Sequence, residues 1–221
     1  MEKLILVRHG ETHWNASGLS QGHKDVPLSA NGERQVDLLR AALEKRMGTA
    51  PFDCAFASPL RRAQQTARLL GAEPVVLDDL IEIDRGHWEG HDPGEIKRRW
   101  GKLQKQWYDD PAGLGMPGGE AFDDLWERAG RLLVRLCEAE GTVLACAHKA
   151  LNRVLIARML GRPSKGVWQI SQPQSACTVL VRVLAPSADS DASANLDASA
   201  DWSAERVGDV SHLPPELRSD S

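Results

Sequence analysis

The sequence predicts an α/β protein built on a parallel sheet, and three observations carry that reading. Leu4-Ile5-Leu6-Val7 is an unbroken apolar run, the pattern of a strand buried on both faces. An amphipathic stretch follows, with Val36, Leu39, Leu43 and Met47 at helical spacing. A second short apolar run, Phe52 to Ala57, comes next. Strand, helix and strand in that order imply a parallel pair joined by a right-handed crossover.

Arg8-His9-Gly10-Glu11-Thr12 follows the first strand directly. Ligands of open α/β sheets lie beyond the carboxyl ends of strands, so Arg8 and His9 are candidates for a reaction centre. The segment from Trp14 to Pro27 is too long for a simple turn, and loops of that length usually serve function. Its Asn15, Gln21 and Gly22 can hydrogen-bond an oxyanion. Ser29 offers an N-cap for a helix running to Met47, which Gly48 ends. Ser58-Pro59 closes the second strand, and Pro59 suits the first turn of the next helix. Arg61 and Arg62 then sit on a helix N-terminus, which favours anions and where a guanidinium adds bidentate donors.

A short strand near Val75–Leu77 leads to Glu82, which lies between Ile81 and Ile83 and points into a pocket or out of an edge. A partly desolvated carboxyl there suits general acid work. His87, Glu89, His91 and Asp92 resemble a metal cluster in composition only. Neither H-E-x-x-H nor a downstream P-C-x-x-C accompanies them, so no metal is assigned. Ile96, Trp100, Leu103 and Trp107 mark a helix serving as core or lid, and Pro111 to Gly119 is a glycine-rich loop able to cover a pocket. Phe122 to Leu136 is a strongly amphipathic helix. Thr142 to Ala147 is a buried strand ending in His148-Lys149, followed by a helix from Ala150 to Leu160. Ala176 to Leu184 and Trp202 to Val207 read as the last strands. Between them, Pro186 to Asp201 holds Pro, Ser, Ala, Asp and Asn with Leu196 as the one exception, the composition of a disordered insertion. The expected organisation is one domain over 1–185, the insertion 186–201, a closing strand over 202–213 and a flexible tail over 214–221.

Composition narrows the function classes. Apolar content of 42% and charged content of 26% are those of a soluble globular protein. A net charge of −4 over 221 residues gives no reason to expect nucleic acid or an anionic membrane. No apolar run approaches the roughly 18 residues of a membrane span, and the start of the chain lacks a signal-peptide layout. Cys54, Cys137, Cys146 and Cys177 are scattered, which fits thiols in a reducing cytoplasm rather than disulfides or zinc.

Together the strand ends supply Arg8, His9, Arg62, Glu82 and His148. That set suits attack by His9 on a phosphate monoester, with Arg8, Arg62 and His148 neutralising the equatorial oxygens. Glu82 would protonate the leaving alkoxide and then take a proton from the hydrolytic water. Nothing in this chemistry calls for a metal or cofactor.

R-H-G-E-T-x-x-N at Arg8–Asn15, Gln21-Gly22, S-P-L-R-R-A at Ser58–Ala63 and the late Ala147-His148 resemble the histidine phosphatase superfamily, also called phosphoglycerate-mutase-like. The resemblance spans about Lys3 to Leu160, with a similar ending at Ser211-His212-Leu213. It implies a three-layer α/β/α sandwich with a mostly parallel sheet and a phosphohistidine intermediate. It also implies His9 as nucleophile, Glu82 as proton donor, Arg8, Arg62 and His148 as the phosphate pocket, and Asn15, Gln21 and Gly22 as a phosphate-contacting loop. Leu80–Gly90 and Pro117-Gly118-Gly119-Glu120 are similar to the small phosphatases, with phosphoserine and α-ribazole phosphatases the nearest branches. A bisphosphoglycerate-dependent mutase is the alternative, and a non-catalytic phosphate-binding protein a weaker one. Lys149 stands where the family carries a small residue, and Arg85 where some phosphoserine-cleaving members carry His; both are candidate substrate-binding residues. The implied partner is a small phosphate monoester, and a homodimer is left open.

Overall fold

The computed structural model describes residues 1–49, 51–183 and 202–218. The expected insertion over 186–201 lies outside them, as does the tail beyond Arg218. Among the described residues, β1 (Lys3–Arg8), β2 (Cys54–Ala57), β3 (Val75–Val76), β4 (Thr142–Ala147), β5 (Cys177–Arg182) and β6 (Trp202–Asp209) form one sheet. Its order is β3-β2-β4-β1-β5-β6. The pairs β3–β2, β2–β4 and β4–β1 are parallel, whereas β1–β5 and β5–β6 are antiparallel. The sheet is therefore mostly parallel, and β1 sits at the change of direction rather than inside a purely parallel stack.

Side chains on β1 alternate between two helical layers. Leu4 and Leu6 pack with residues of α5 (Phe122–Cys137) and α6 (Lys149–Met159), while Ile5 and Val7 pack with residues of α2 (Ala30–Met47) and α3 (Arg61–Leu69). All four are 0% exposed, each stabilising the fold by about 1.5–3 kcal/mol through apolar burial. Continuous hydrophobicity was the correct sign of a strand covered on both faces.

Local signals explain most helix ends. Ser29 caps α2 by accepting from the Gly32 amide, and Gly48 closes it with a φ of 91°. Asp92 and Glu95 form a capping box at the start of α4 (Pro93–Asp109). Pro59 does not enter α3, contrary to expectation. Leu60 is the N-cap, so the helix opens on Arg61 and Arg62 themselves. The long loop after β1 also starts with an unexpected turn, α1 (His13–Ala16), capped by Thr12. Trp107 is 0% exposed and belongs to the core. The start of the expected flexible tail folds as well: Pro215–Leu217 makes a helical turn, and Gln35 Nε2 donates to the Leu217 carbonyl at 2.8 Å.

Strand register positions the site. Arg8 aligns with Ala147, and Ala57 with Cys146, so three parallel strands end at nearly one level. Their next residues are His9, His148 and Ser58.

Candidate active site

His9 and His148 emerge side by side, with ring centroids 5.2 Å apart. The His9 amide donates to the Ala147 carbonyl and the Ser58 amide to the Cys146 carbonyl, each at 3.1 Å. His9 Nδ1 lies 2.7 Å from the Gly10 carbonyl oxygen. A carbonyl can only accept, so Nδ1 carries the hydrogen and Nε2 keeps its lone pair. Burial first, then the charges of Arg62 and Arg8, hold the His9 pKa well below its ordinary 6.5. Glycine at position 10 is required by packing, because a Cβ there would stand 2.5 Å from the Gly32 carbonyl oxygen.

His148 is wholly buried, and burial, with Arg62, His9 and Arg8, also holds its pKa well below 6.5. Its Nε2 lies 2.7 Å from Ser58 Oγ. Ser58 Oγ already accepts from the Leu60 amide at 3.3 Å, and its own O–H finds a partner only in His148 Nε2 among the described residues. Buried hydroxyl hydrogens are seldom left unpaired, so Ser58 donates to Nε2. That places the His148 hydrogen on Nδ1, which has no partner.

Two guanidiniums flank the rings. Arg8 Nη1 donates to the Gln172 carbonyl at 2.6 Å. Arg62 spans the long loop, donating from Nη1 to the Lys24 carbonyl and from Nη2 to the Gly22 carbonyl, both at 2.8 Å. Burial, partly offset by Glu82, pushes the Arg8 pKa down to about 9 and that of Arg62 down to about 10. The Nε of each is buried without a partner.

Glu82 turns into the pocket, not out of an edge, and is 3% exposed. Oε1 accepts from the Ile83 amide at 2.9 Å and the Leu151 amide at 3.2 Å, while Oε2 accepts from the Ala150 amide at 3.1 Å. The carboxyl thus rests on the first turn of α6. Arg128, from α5, holds the chain leading to it by donating Nη1 to the Asp79 and Ile81 carbonyls, both at 2.8 Å. Its Nη2 pairs with Glu120 at 2.9 Å, and Glu120 accepts from the Asp84 amide at 3.3 Å.

In the loop after β1, Gln21 Oε1 accepts from the Thr12 hydroxyl at 2.9 Å and from Asn15 Nδ2 at 3.4 Å. Gln21 Nε2 is left buried and unpartnered. Gly22 does not present its amide to the pocket; that N–H goes to Glu89 Oε1 at 2.8 Å and its carbonyl to Arg62. Gly22 is needed instead for close approach, since a Cβ would stand 2.8 Å from the Arg85 nitrogen. The metal-like residues have other partners: Glu89 ties down Gly22 and Lys24, His91 pairs with Glu95, and Asp92 caps α4.

Part of this set opens into a cavity of about 300 Å³, lined by Arg8, His9, Asn15, Gln21 and Glu82, while Arg62, His148 and Ser58 are not among its lining residues. Arg85 and Lys149 add cationic wall, and Leu19, Trp88, Ile96 and Tyr108 supply apolar surface. Burial, then Arg8, Arg153 and Arg85, push the Lys149 pKa down to about 7. The glycine-rich loop does not cover this cavity as expected. It supports the turn carrying Arg85, with the His87 amide donating to the Pro117 carbonyl at 2.8 Å.

Sequence reasoning passed over Ser58, Arg128, Gln172 and Gln174 as site residues. Two had a visible signal: Ser58 follows a strand end, and Arg128 interrupts the apolar stripe of Leu125, Ala129 and Leu132.

Strand ends that hold a buried imidazole among N–H donors without partners among the described residues offer the donors that an oxyanion would need. The chain belongs to the histidine phosphatase superfamily (branch 1), whose profile matches residues 4–185. It is 34% identical over 185 residues to a 2-carboxy-D-arabinitol-1-phosphatase of Triticum aestivum, covering 81% of this chain and 37% of that protein. It is 30% identical over 186 residues to phosphoserine phosphatase 1 of Hydrogenobacter thermophilus, covering 81% and 86%. The solved α-ribazole phosphatase from Shigella flexneri superposes with a TM-score of 0.76 at 27% identity, covering 94% and 96%. The chain spans about two fifths of the length of the plant relatives it matches.

Proposed function

We propose that the chain is a phosphomonoesterase that hydrolyses a small phosphorylated metabolite, phosphoserine-like or α-ribazole-phosphate-like, through a phosphohistidine. One observation carries this reading. The buried donors Arg8 Nε, Arg62 Nε, His148 Nδ1 and Gln21 Nε2 lack protein partners, and they belong to the residues gathered around a neutral His9. Unpaired buried donors are costly unless something takes them up, and a phosphoryl group supplies several oxygens at once.

His9 Nε2 attacks phosphorus, forming the P–N bond as the ester P–O bond breaks. Arg8, Arg62 and His148 balance the charge on the equatorial oxygens. Asn15 holds Gln21 in place for the same task, and Gly22 shapes the loop through Arg62. Glu82 delivers its proton to the leaving oxygen, then accepts one from the water that breaks the P–N bond and releases inorganic phosphate. The cationic work falls to arginines, so no metal is required.

Among the described residues no helix is long and apolar enough to cross a membrane. The four thiols are free, and Cys146 and Cys177 are buried, which supports a reducing cytoplasm as the working compartment.

The test is release of inorganic phosphate from 4-nitrophenyl phosphate, with and without EDTA. Turnover should resist EDTA and fall by about a thousandfold or more in His9→Ala. Full activity in that variant, or conversion of 3-phosphoglycerate to its 2-isomer without free phosphate, would overturn the proposal.

A further inference from the structure

The cavity has a wall that the chemistry above leaves unused. Arg85 and Lys149 line it, and among the described residues neither side chain has a hydrogen-bond or ion-pair partner. Arg85 Nε is itself buried and unpaired. Glu82 is the one acidic residue in the lining, and three backbone amides already occupy it. Once a phosphoryl group takes up Arg8, the wall still holds Arg85, and Lys149 when it is protonated, without a counter-charge. Gln174, 8% exposed, lines the same cavity, and its Oε1 is buried with no partner. It comes from the segment before β5, whose backbone also receives Arg8 through the Gln172 carbonyl, so its distance from the phosphate end is fixed by the same turn. Ser175 beside it is held at a φ of 55° while its amide donates to the His9 carbonyl at 3.2 Å.

Resting on the phosphate-ester reading of this pocket, we infer that the substrate carries a carboxylate, held by Lys149 with Arg85, next to a hydroxyl or amino hydrogen that donates to Gln174. An unpaired buried acceptor in the same cavity as unpaired cations is complementary to that pairing of groups, and it discriminates against a ligand lacking either one. Lys149 is a point charge on a flexible stem, so it can follow the carboxylate while the phosphoryl group stays anchored. Leu19, Trp88 and Ile96 line the same cavity and offer apolar surface for the ligand's carbon backbone.

Phosphonates test this on the intact chain, because their P–C bond is not hydrolysed and binding is read without turnover. Calorimetry compares 2-amino-4-phosphonobutanoate with 3-aminopropylphosphonate, which lacks the carboxylate, and with 4-phosphonobutanoate, which lacks the amine. Loss of the carboxylate should weaken binding by about tenfold or more, and loss of the amine should weaken it measurably. Lys149→Met should shrink the first difference, Lys149→Met combined with Arg85→Met should erase it, Lys149→Arg should keep most of it, and Gln174→Leu should erase the second. Equal Kd values for the three ligands in the native chain, no binding of the first, or a carboxylate preference that survives the double variant undiminished would overturn the inference. Absence of phosphate release from aryl esters would instead sink the phosphatase proposal and leave this ligand ranking intact.

Discussion

His9 is kept neutral by the same groups that would bind the anion. Burial and the charges of Arg62 and Arg8 disfavour its protonated form, so under the proposed reading anion recognition and nucleophile activation would share one arrangement. The ring also has its tautomer set locally, by Gly10. His148 has its tautomer set from another strand, by Ser58, and the two are separable by mutation. Ser58→Ala removes the donor to Nε2 with little change of volume, so the His148 hydrogen is no longer directed to Nδ1. We expect kcat/KM on an aryl phosphate to fall about tenfold or more with the folded state retained by circular dichroism. Unchanged kinetics would show that Ser58 merely fills space.

At the scale of elements, the site depends on where strands stop and what holds the chain beyond them. β1, β2 and β4 deliver His9, Ser58 and His148, which is why apolar runs ending in Arg-His, Ser-Pro and His-Lys were readable in the sequence. Glu82 was legible as a residue but not as a placed one, because its position depends on α5. Arg128 grips the Asp79 and Ile81 carbonyls and pairs with Glu120, contacts between segments that no local pattern announces. Both side chains are mostly buried, at 11% and 16% exposure. Arg128→Met should therefore destabilise the protein by about 3–5 kcal/mol, by leaving Glu120 unpaired. Denaturant unfolding would measure it, and adding Glu120→Gln should recover part of the loss. If the single variant kept full stability, the clamp would have no energetic role.

For the whole molecule, the order of elements was readable because each apolar period is long or clearly bounded. The antiparallel β5–β6 pair was not, since strand direction depends on register across β1 rather than on any residue within β5. Pro59 misled for a local reason: Leu60 takes extended backbone and caps the helix itself. The two buried imidazoles also give the molecule a pH signature. Their folded pKa values lie below 6.5, so below that pH the unfolded chain binds protons that the folded chain refuses. The share of stability that depends on these two rings is complete above about pH 7.5 and falls as pH drops, by up to about 1.4 kcal/mol per pH unit for each histidine. Urea midpoints between about pH 7.5 and pH 5.5 would register the decline, and a flat profile would mean that the rings are not held neutral.

The central claim, that His9 accepts the phosphoryl group, is tested most directly by quenching turnover and mapping the modified peptide by mass spectrometry. The expected result is one acid-labile phosphoryl group on the peptide containing His9, absent from His9→Ala. An unmodified His9 peptide throughout steady-state turnover, or a phosphoryl group on another side chain, would contradict it.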